Sequence, residues 1–206
     1  MRRIEGLSAI GFAGAYVAAL VLTNVPDEGE TRRQAAAFYE SGGDKAKLLV
    51  AVALMAAAAL LFGLFAAATV ERLRGVQRHL AGIAAGAFVA LYLAAAAAFL
   101  TPTFTLSLDP DGADAVDRRF VDFARGMSTL GDALLLVCSL FAAAAFVAAL
   151  AWSGSLPRWL AWTGWAVAVA CLFGVVFFPV LLFALWVLAV GVSRLRAADS
   201  AEFASR

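Results

Sequence analysis

WLAWTGWAVAVACLFGVVFFPVLLFALWVLAVGV, residues 159–192, is a run of 34 residues without a charge. At about 1.5 Å of rise per residue one helix of this length would measure about 51 Å, against a bilayer hydrocarbon core of about 30 Å. It would have to tilt by more than about 50°, whereas spanning helices tilt by at most about 40°. The run therefore reads as two helices. Pro179 removes a helix hydrogen bond and Gly174 tolerates a turn, which places the break between them.

Working outward from that run, residues 7–25, 48–70, 80–100 and 133–152 are each apolar for roughly the 20 residues that a spanning helix needs. With 158–175 and 178–194 they make six spans in a single all-α transmembrane domain covering residues 1–206, a polytopic helical bundle. Composition points the same way: of 206 residues 64% are apolar and 15% charged, and the mean hydropathy is +0.88. Such a chain needs lipid as solvent. Met1, Arg2 and Arg3 precede the first apolar run, and no clear small-residue cleavage site follows it, so the run reads as an uncleaved span rather than a signal peptide.

Charge orients the bundle. With six spans and a cytoplasmic N-terminus, the inner segments hold nine basic residues (Arg2, Arg3, Arg72, Arg74, Arg78, Arg158, Arg194, Arg196, Arg206) against four acidic ones, net +5. The outer segments hold seven basic and eleven acidic residues, net −4. The positive-inside rule then puts both termini on the cytoplasmic side of a bacterial cytoplasmic membrane. Trp152 and Trp159 bracket the inner connection 153–158 as an interfacial aromatic belt does, and Trp162 and Trp165 extend the stripe as expected packing residues.

The two outer loops, 26–47 and 101–132, are expected to carry short amphipathic helices. Asp27 and Glu30 suit a capping pair at the start of the first, and Ser41-Gly42-Gly43 suits its end. In the second, Val116, Phe120, Phe123, Met127 and Leu130 recur at spacings of 4, 3, 4 and 3, one face of a helix, opposite Asp114, Asp117, Arg118, Asp122 and Arg125. That apolar stripe is expected to cover the turn at 175–178 or to lie on the headgroups.

Few residues suggest chemistry. The net charge of +1 is spread along the chain, which excludes the clustered basic face of a nucleic-acid binder. His79 is the sole histidine, so bis-histidine haem and multi-histidine metal sites are not available to one chain. No span has an ionisable residue at its middle: Glu71 and His79 lie at the inner boundary and Asp132 at the outer, which argues against a proton-coupled pump. Lys45 and Lys47 sit at the edge of the second span, too shallow for Schiff-base chemistry. Cys138 and Cys171 fall at similar depth on consecutive spans and read as free packed thiols. No catalytic residue, metal site or cofactor is expected.

What remains is an outer rim. Asp109, Asp111 and Asp114 surround a glycine turn, where they serve either a hard cation or the dipole of the helix that follows. With Asp117, Arg118, Arg119, Asp132 and Glu40 they form a candidate site for a polar headgroup or a partner. Gly82 and Gly86 form G-x-x-x-G in the third span, a spacing that lets helices touch along their backbones, within the chain or between copies.

The chain also resembles an uncharacterised family of bacterial multi-pass membrane proteins defined by a domain of unknown function. The resemblance rests on Pro26-Asp27 after the first span, Ala36 to Tyr39, the basic connection from Glu71 to Gly75, and Ser153 to Trp162, which is similar to that family's Leu-Pro-x-Trp-Leu signature. It implies a multi-pass fold and carries no activity. The expected function is therefore non-catalytic: binding to itself, to another membrane protein or to bilayer lipid. The alternatives are a small oligomeric channel or transporter and, after it, a membrane enzyme acting on a lipid substrate.

Overall fold

The computed structural model describes residues 2–23, 31–108, 116, 118–173 and 178–203, and among them every regular element is a helix. In chain order these are α1 (Arg2–Leu22), α2 (Arg32–Glu40), α3 (Gly42–Val70), α4 (Gly75–Leu108), α5 (Arg118–Asp132), α6 (Ser139–Trp152), α7 (Arg158–Leu172) and α8 (Phe178–Phe203). A π-helical stretch, Ala133–Cys138, joins α5 to α6 without a break. Five helices are long and apolar enough to cross a membrane: α1, α3, α4, the continuous run Arg118–Trp152, and α8. The 15 residues of α7 reach about 22 Å.

Local chemistry sets the boundaries. Thr31 caps α2 through a reciprocal box, its Oγ1 accepting from the Gln34 N–H while the Gln34 carboxamide accepts from the Thr31 N–H. The expected capping pair Asp27 and Glu30 lies outside the described residues. Ser41 ends α2 and its hydroxyl caps α3 in the same step by accepting from the Asp44 N–H, so Gly42 and Gly43 begin a helix rather than close one. Gly75, at φ +61°, turns the chain into α4, and Gly154, at φ +67°, does the same before Pro157 starts α7.

The helices overrun the apolar segments that define them. α4 continues through Pro102 to Leu108, with the Thr101 and Thr105 hydroxyls donating to carbonyls four residues back. The second amphipathic segment is the first part of the long helix Arg118–Trp152, not a separate short one. Ser139 explains the π stretch: its hydroxyl donates to the Leu135 carbonyl that its own N–H would normally use, and the N–H reaches Leu134 instead.

The face that α5 buries also differs from the expected stripe. Val121, Ala124, Ser128 and Gly131 are buried, whereas Phe123 and Leu130 are exposed. Gly131 sits against the ring of Phe99 on α4, a separation that only a residue without a Cβ permits. The large apolar residues turn outward because lipid solvates them as well as protein does, and close helix contact goes to the small side chains. α5 packs on α4 and α2, and of the turn it was expected to cover, 175–178, residues 175–177 lie outside the described residues.

The run 159–192 does break in two: α7 ends at Leu172 and α8 starts at Phe178, immediately before Pro179. The two pack as an antiparallel pair in which the indole N–H of buried Trp186 donates to the Leu160 carbonyl at 3.1 Å. Six helices then form a closed ring, each touching the next in the order α1, α3, α4, α6, α7, α8 and back to α1. Aromatic side chains plug its centre. Phe62 on α3 meets Phe12 on α1, Phe88 on α4, Phe146 on α6 and Phe183 on α8 at centroid distances of 5.1, 4.6, 5.2 and 5.8 Å.

The ring closes where α1 crosses α8. A Cβ on Gly191 would lie 2.6 Å from that of Ala9, and Gly6 faces Leu195 and the Gly191 carbonyl just as closely. Gly86, by contrast, has nothing within 4 Å of its Cβ position, and Gly82 only a Val70 methyl at 3.8 Å, so the G-x-x-x-G pair makes no backbone contact within the chain. Gly191→Ala is expected to destabilise the bundle by about 1–3 kcal/mol through overpacking, while Gly86→Ala leaves it unchanged or slightly more stable. Thermal unfolding of both variants in detergent checks the contrast, and equal midpoints would refute it.

Candidate functional site

The most buried charge in the described residues is one that hydropathy gave no reason to single out. Glu5, in the first turns of α1, is fully buried. Its Oε2 lies 2.6 Å from Nη1 of Arg72, just past the end of α3, and its Oε1 lies 3.3 Å from Nε of Arg194 on α8. The Thr69 hydroxyl lies 3.1 Å from Oε1 and 2.8 Å from the Phe65 carbonyl, two acceptors that share its single proton. Arg194 donates through Nη2 to the Ser155 carbonyl in the turn before α7. One carboxylate thus ties together α1, α3, α8 and the α6–α7 turn at a single end of the bundle. It places Arg72 and Arg194, from opposite halves of the sequence, at the same rim.

The carboxylate of this cluster is held by two guanidinium groups that keep 28% and 18% of their exposure.

The rim expected from the sequence lies at the other end. Asp109, Asp111, Asp114 and Asp117 fall outside the described residues. Arg118 and Arg119 are exposed, Arg118 sits 3.9 Å from Asp122 one turn on, and Asp132 is half-buried and engaged by a neighbour. Among the described residues no three His, Cys, Asp or Glu side chains could share a metal ion, and Cys138 and Cys171 are both free thiols. Trp152, Trp159, Trp162 and Trp165 are 60%, 58%, 70% and 44% exposed, so the last two face the surroundings instead of packing inside as expected.

A cleft does open at that end, between α2 and the adjoining ends of α3 and α4, with a volume of about 440 Å³. Its walls are Leu49, Leu100, Phe104 and Leu106, and Glu40 and Lys45 stand beside them. Two hydroxyls complete the lining. Tyr39 is 2% exposed, its ring set at right angles to Phe38 and Phe120 at 5.1 and 5.3 Å, and its Oη is enclosed with no hydrogen-bond partner among the described residues. Thr103 is 7% exposed and its Oγ1 is likewise unpaired, although its neighbours Thr101, Thr105 and Ser107 all fold back on helix carbonyls.

Enclosed polar atoms without partners are costly, at about 1–3 kcal/mol each, and mark places where a further partner belongs. Burial pushes the Tyr39 phenol up to about 12, so it stays a neutral O–H donor across the physiological range. The charges are uncommitted too: neither the Lys45 ammonium nor the Glu40 carboxylate is ion-paired among the described residues, while nearby Lys47 pairs with Asp44 at 3.0 Å. The sequence hint was slight, a tyrosine and a lysine in a polar connection. Their meeting with Thr103 depends on α4 extending past Pro102.

No family model matches the chain, and no curated protein or solved structure matches it.

The Glu5 fastening carries its own expectation. Glu5→Gln should lower stability by about 3 kcal/mol, the low end for breaking a buried pair because both guanidinium groups retain some water. Arg72→Gln should cost less, since Arg194 and Thr69 still hold the carboxylate. Denaturant or thermal unfolding of the two variants gives the order, and a Glu5→Gln protein as stable as the parent would show that the cluster contributes nothing.

Proposed function

We propose that this protein is a non-catalytic integral membrane protein that crosses a bacterial cytoplasmic membrane six times, with both termini cytoplasmic, and acts by binding at the cleft beside α2. The observation that carries this is the cleft itself: two buried, unpaired hydroxyls and two unpaired charges set over apolar walls. That is the lining of a ligand site, mostly apolar with a few fixed polar groups. Six crossings follow if α7 is counted with the five long helices. It is short, which a bilayer accommodates by local thinning, and its exposed tryptophans suit an interfacial belt. Arg72, Arg74, Arg158, Arg194 and Arg196 then share the cytoplasmic rim with the Glu5 cluster.

Two further arguments weigh against transport through one chain. The aromatic plug fills the ring's centre, and the described spans hold no charge at mid-depth. A second reading is self-association across the groove between α3 and α4, about 530 Å³ and lined by Gly63, Gly82, Gly86 and Leu93. It is favoured by Gly63 and Gly86, which have nothing within 4 Å of their Cβ positions. A small channel would have to form between copies meeting in this way.

Native mass spectrometry of the solubilised chain tests binding, with retained lipid or small ligand expected on each copy. A strictly monomeric protein carrying nothing would overturn both readings. Reporter fusions after residues 41 and 155 test the topology. The first is expected outside the cytoplasm and the second inside, and a further fusion after residue 198 is expected inside; a reporter outside there would refute six crossings, since five without α7 place it outside.

A further inference from the structure

Resting on the binding reading above, we infer that the cleft beside α2 takes a zwitterionic phospholipid, its phosphate on Lys45, Tyr39 and Thr103 and its ammonium on Glu40. The argument runs from charge. Lys45 is half-buried at the cleft and Glu40 is exposed at its edge, one of each sign and neither paired among the described residues. A purely anionic headgroup would satisfy Lys45 but face Glu40. A purely cationic one would do the reverse. A headgroup carrying phosphate and ammonium together matches both.

The hydroxyls refine the match. Tyr39 and Thr103 are donors without acceptors, and a phosphodiester with its neighbouring ester carbonyls is a set of acceptors without donors. Hydrogen bonds to charged oxygens are the stronger kind, so these two groups favour a phosphate over a neutral polar ligand. The walls distinguish a lipid from a soluble zwitterion. Leu49 and Phe104 border the cleft and are 52% and 57% exposed, continuing its apolar lining onto the outer faces of α3 and α4, where acyl chains run. Phe120 braces the Tyr39 ring from α5, so the donor position is fixed before the ligand arrives.

The test uses the full chain in detergent. It is titrated with phosphatidylethanolamine, phosphatidylglycerol and soluble glycerophosphoethanolamine, and bound fractions are read by native mass spectrometry. Phosphatidylethanolamine should be retained about tenfold better than phosphatidylglycerol, the factor set by one unfavourable charge contact. The soluble headgroup should bind far more weakly than either lipid. Glu40→Gln should erase that preference by weakening the first lipid and strengthening the second. Lys45→Gln should weaken both.

Tyr39→Phe and Thr103→Val should each weaken phosphatidylethanolamine several-fold without lowering the thermal midpoint of the delipidated protein, because the hydroxyls they remove have no partner in it. Equal retention of the two lipids, unaltered by Glu40→Gln but reduced by Tyr39→Phe, would overturn the zwitterion specificity and leave the binding site standing. Soluble headgroup binding as tight as lipid would overturn the lipid assignment. Lipid retention indifferent to all four variants would overturn the binding site itself.

Discussion

A carboxylate taken out of water survives only if cations and donors replace the water, and at Glu5 two separate chain segments supply them. Arg72 follows α3, Arg194 belongs to α8, and Thr69 lies one turn above Arg72. None of these can reach Glu5 unless α1 lies between α3 and α8, so the ion cluster and the closure of the helix ring are one condition stated twice. The glycine contact between Gly6 and Gly191 lies one step further along the same crossing, where it lets the two backbones come close enough for the arginine to reach. Arg194 extends the constraint to the turn before α7 through the Ser155 carbonyl. The N-terminal residues thus act as the keystone of a bundle whose other helix contacts are chiefly apolar, the Trp186–Leu160 hydrogen bond between α8 and α7 apart.

Because apolar contact in a membrane is not driven by exclusion of water, the interior must achieve cohesion by shape. This chain does so with two complementary devices. Alanine and glycine faces bring the helices close, and a knot of aromatic rings centred on Phe62 fills the space they enclose. A filled centre has functional consequences: it leaves the ends and the outer faces as the places where the molecule can meet something else. At one end the polar groups satisfy one another around Glu5. At the other, around Tyr39, Lys45 and Thr103, they do not among the described residues, and there, unlike at the enclosed Tyr16 and Tyr92 hydroxyls of the core, unpaired hydroxyls stand beside unpaired charges.

The helical class, five stretches long and apolar enough to cross a bilayer, and the break before Pro179 were legible because each is a property of a continuous stretch. Length against bilayer thickness and proline's missing donor need no knowledge of neighbours. The face of α5 was misjudged for an instructive reason. Phe123 and Leu130 follow a helical period, but period alone does not say whether an apolar stripe seeks protein or lipid, and here the small residues Ala124, Ser128 and Gly131 face the bundle. Gly82 and Gly86 line the open groove between α3 and α4, and the close crossings among the described residues are made at Gly6, Gly131 and Gly191.

Sequence by itself determined the solvent this chain requires, the helical content and the basic weighting of one set of connections, all of which are sums over local residues. Tertiary structure alone decided that Glu5 is buried, that Tyr39 and Thr103 share a cleft, and which glycines touch. These are pairings between residues far apart along the chain, and their energy depends on which helix lies beside which. Hydropathy and periodicity measure how a segment meets its surroundings, and they carry no term for the identity of the neighbour.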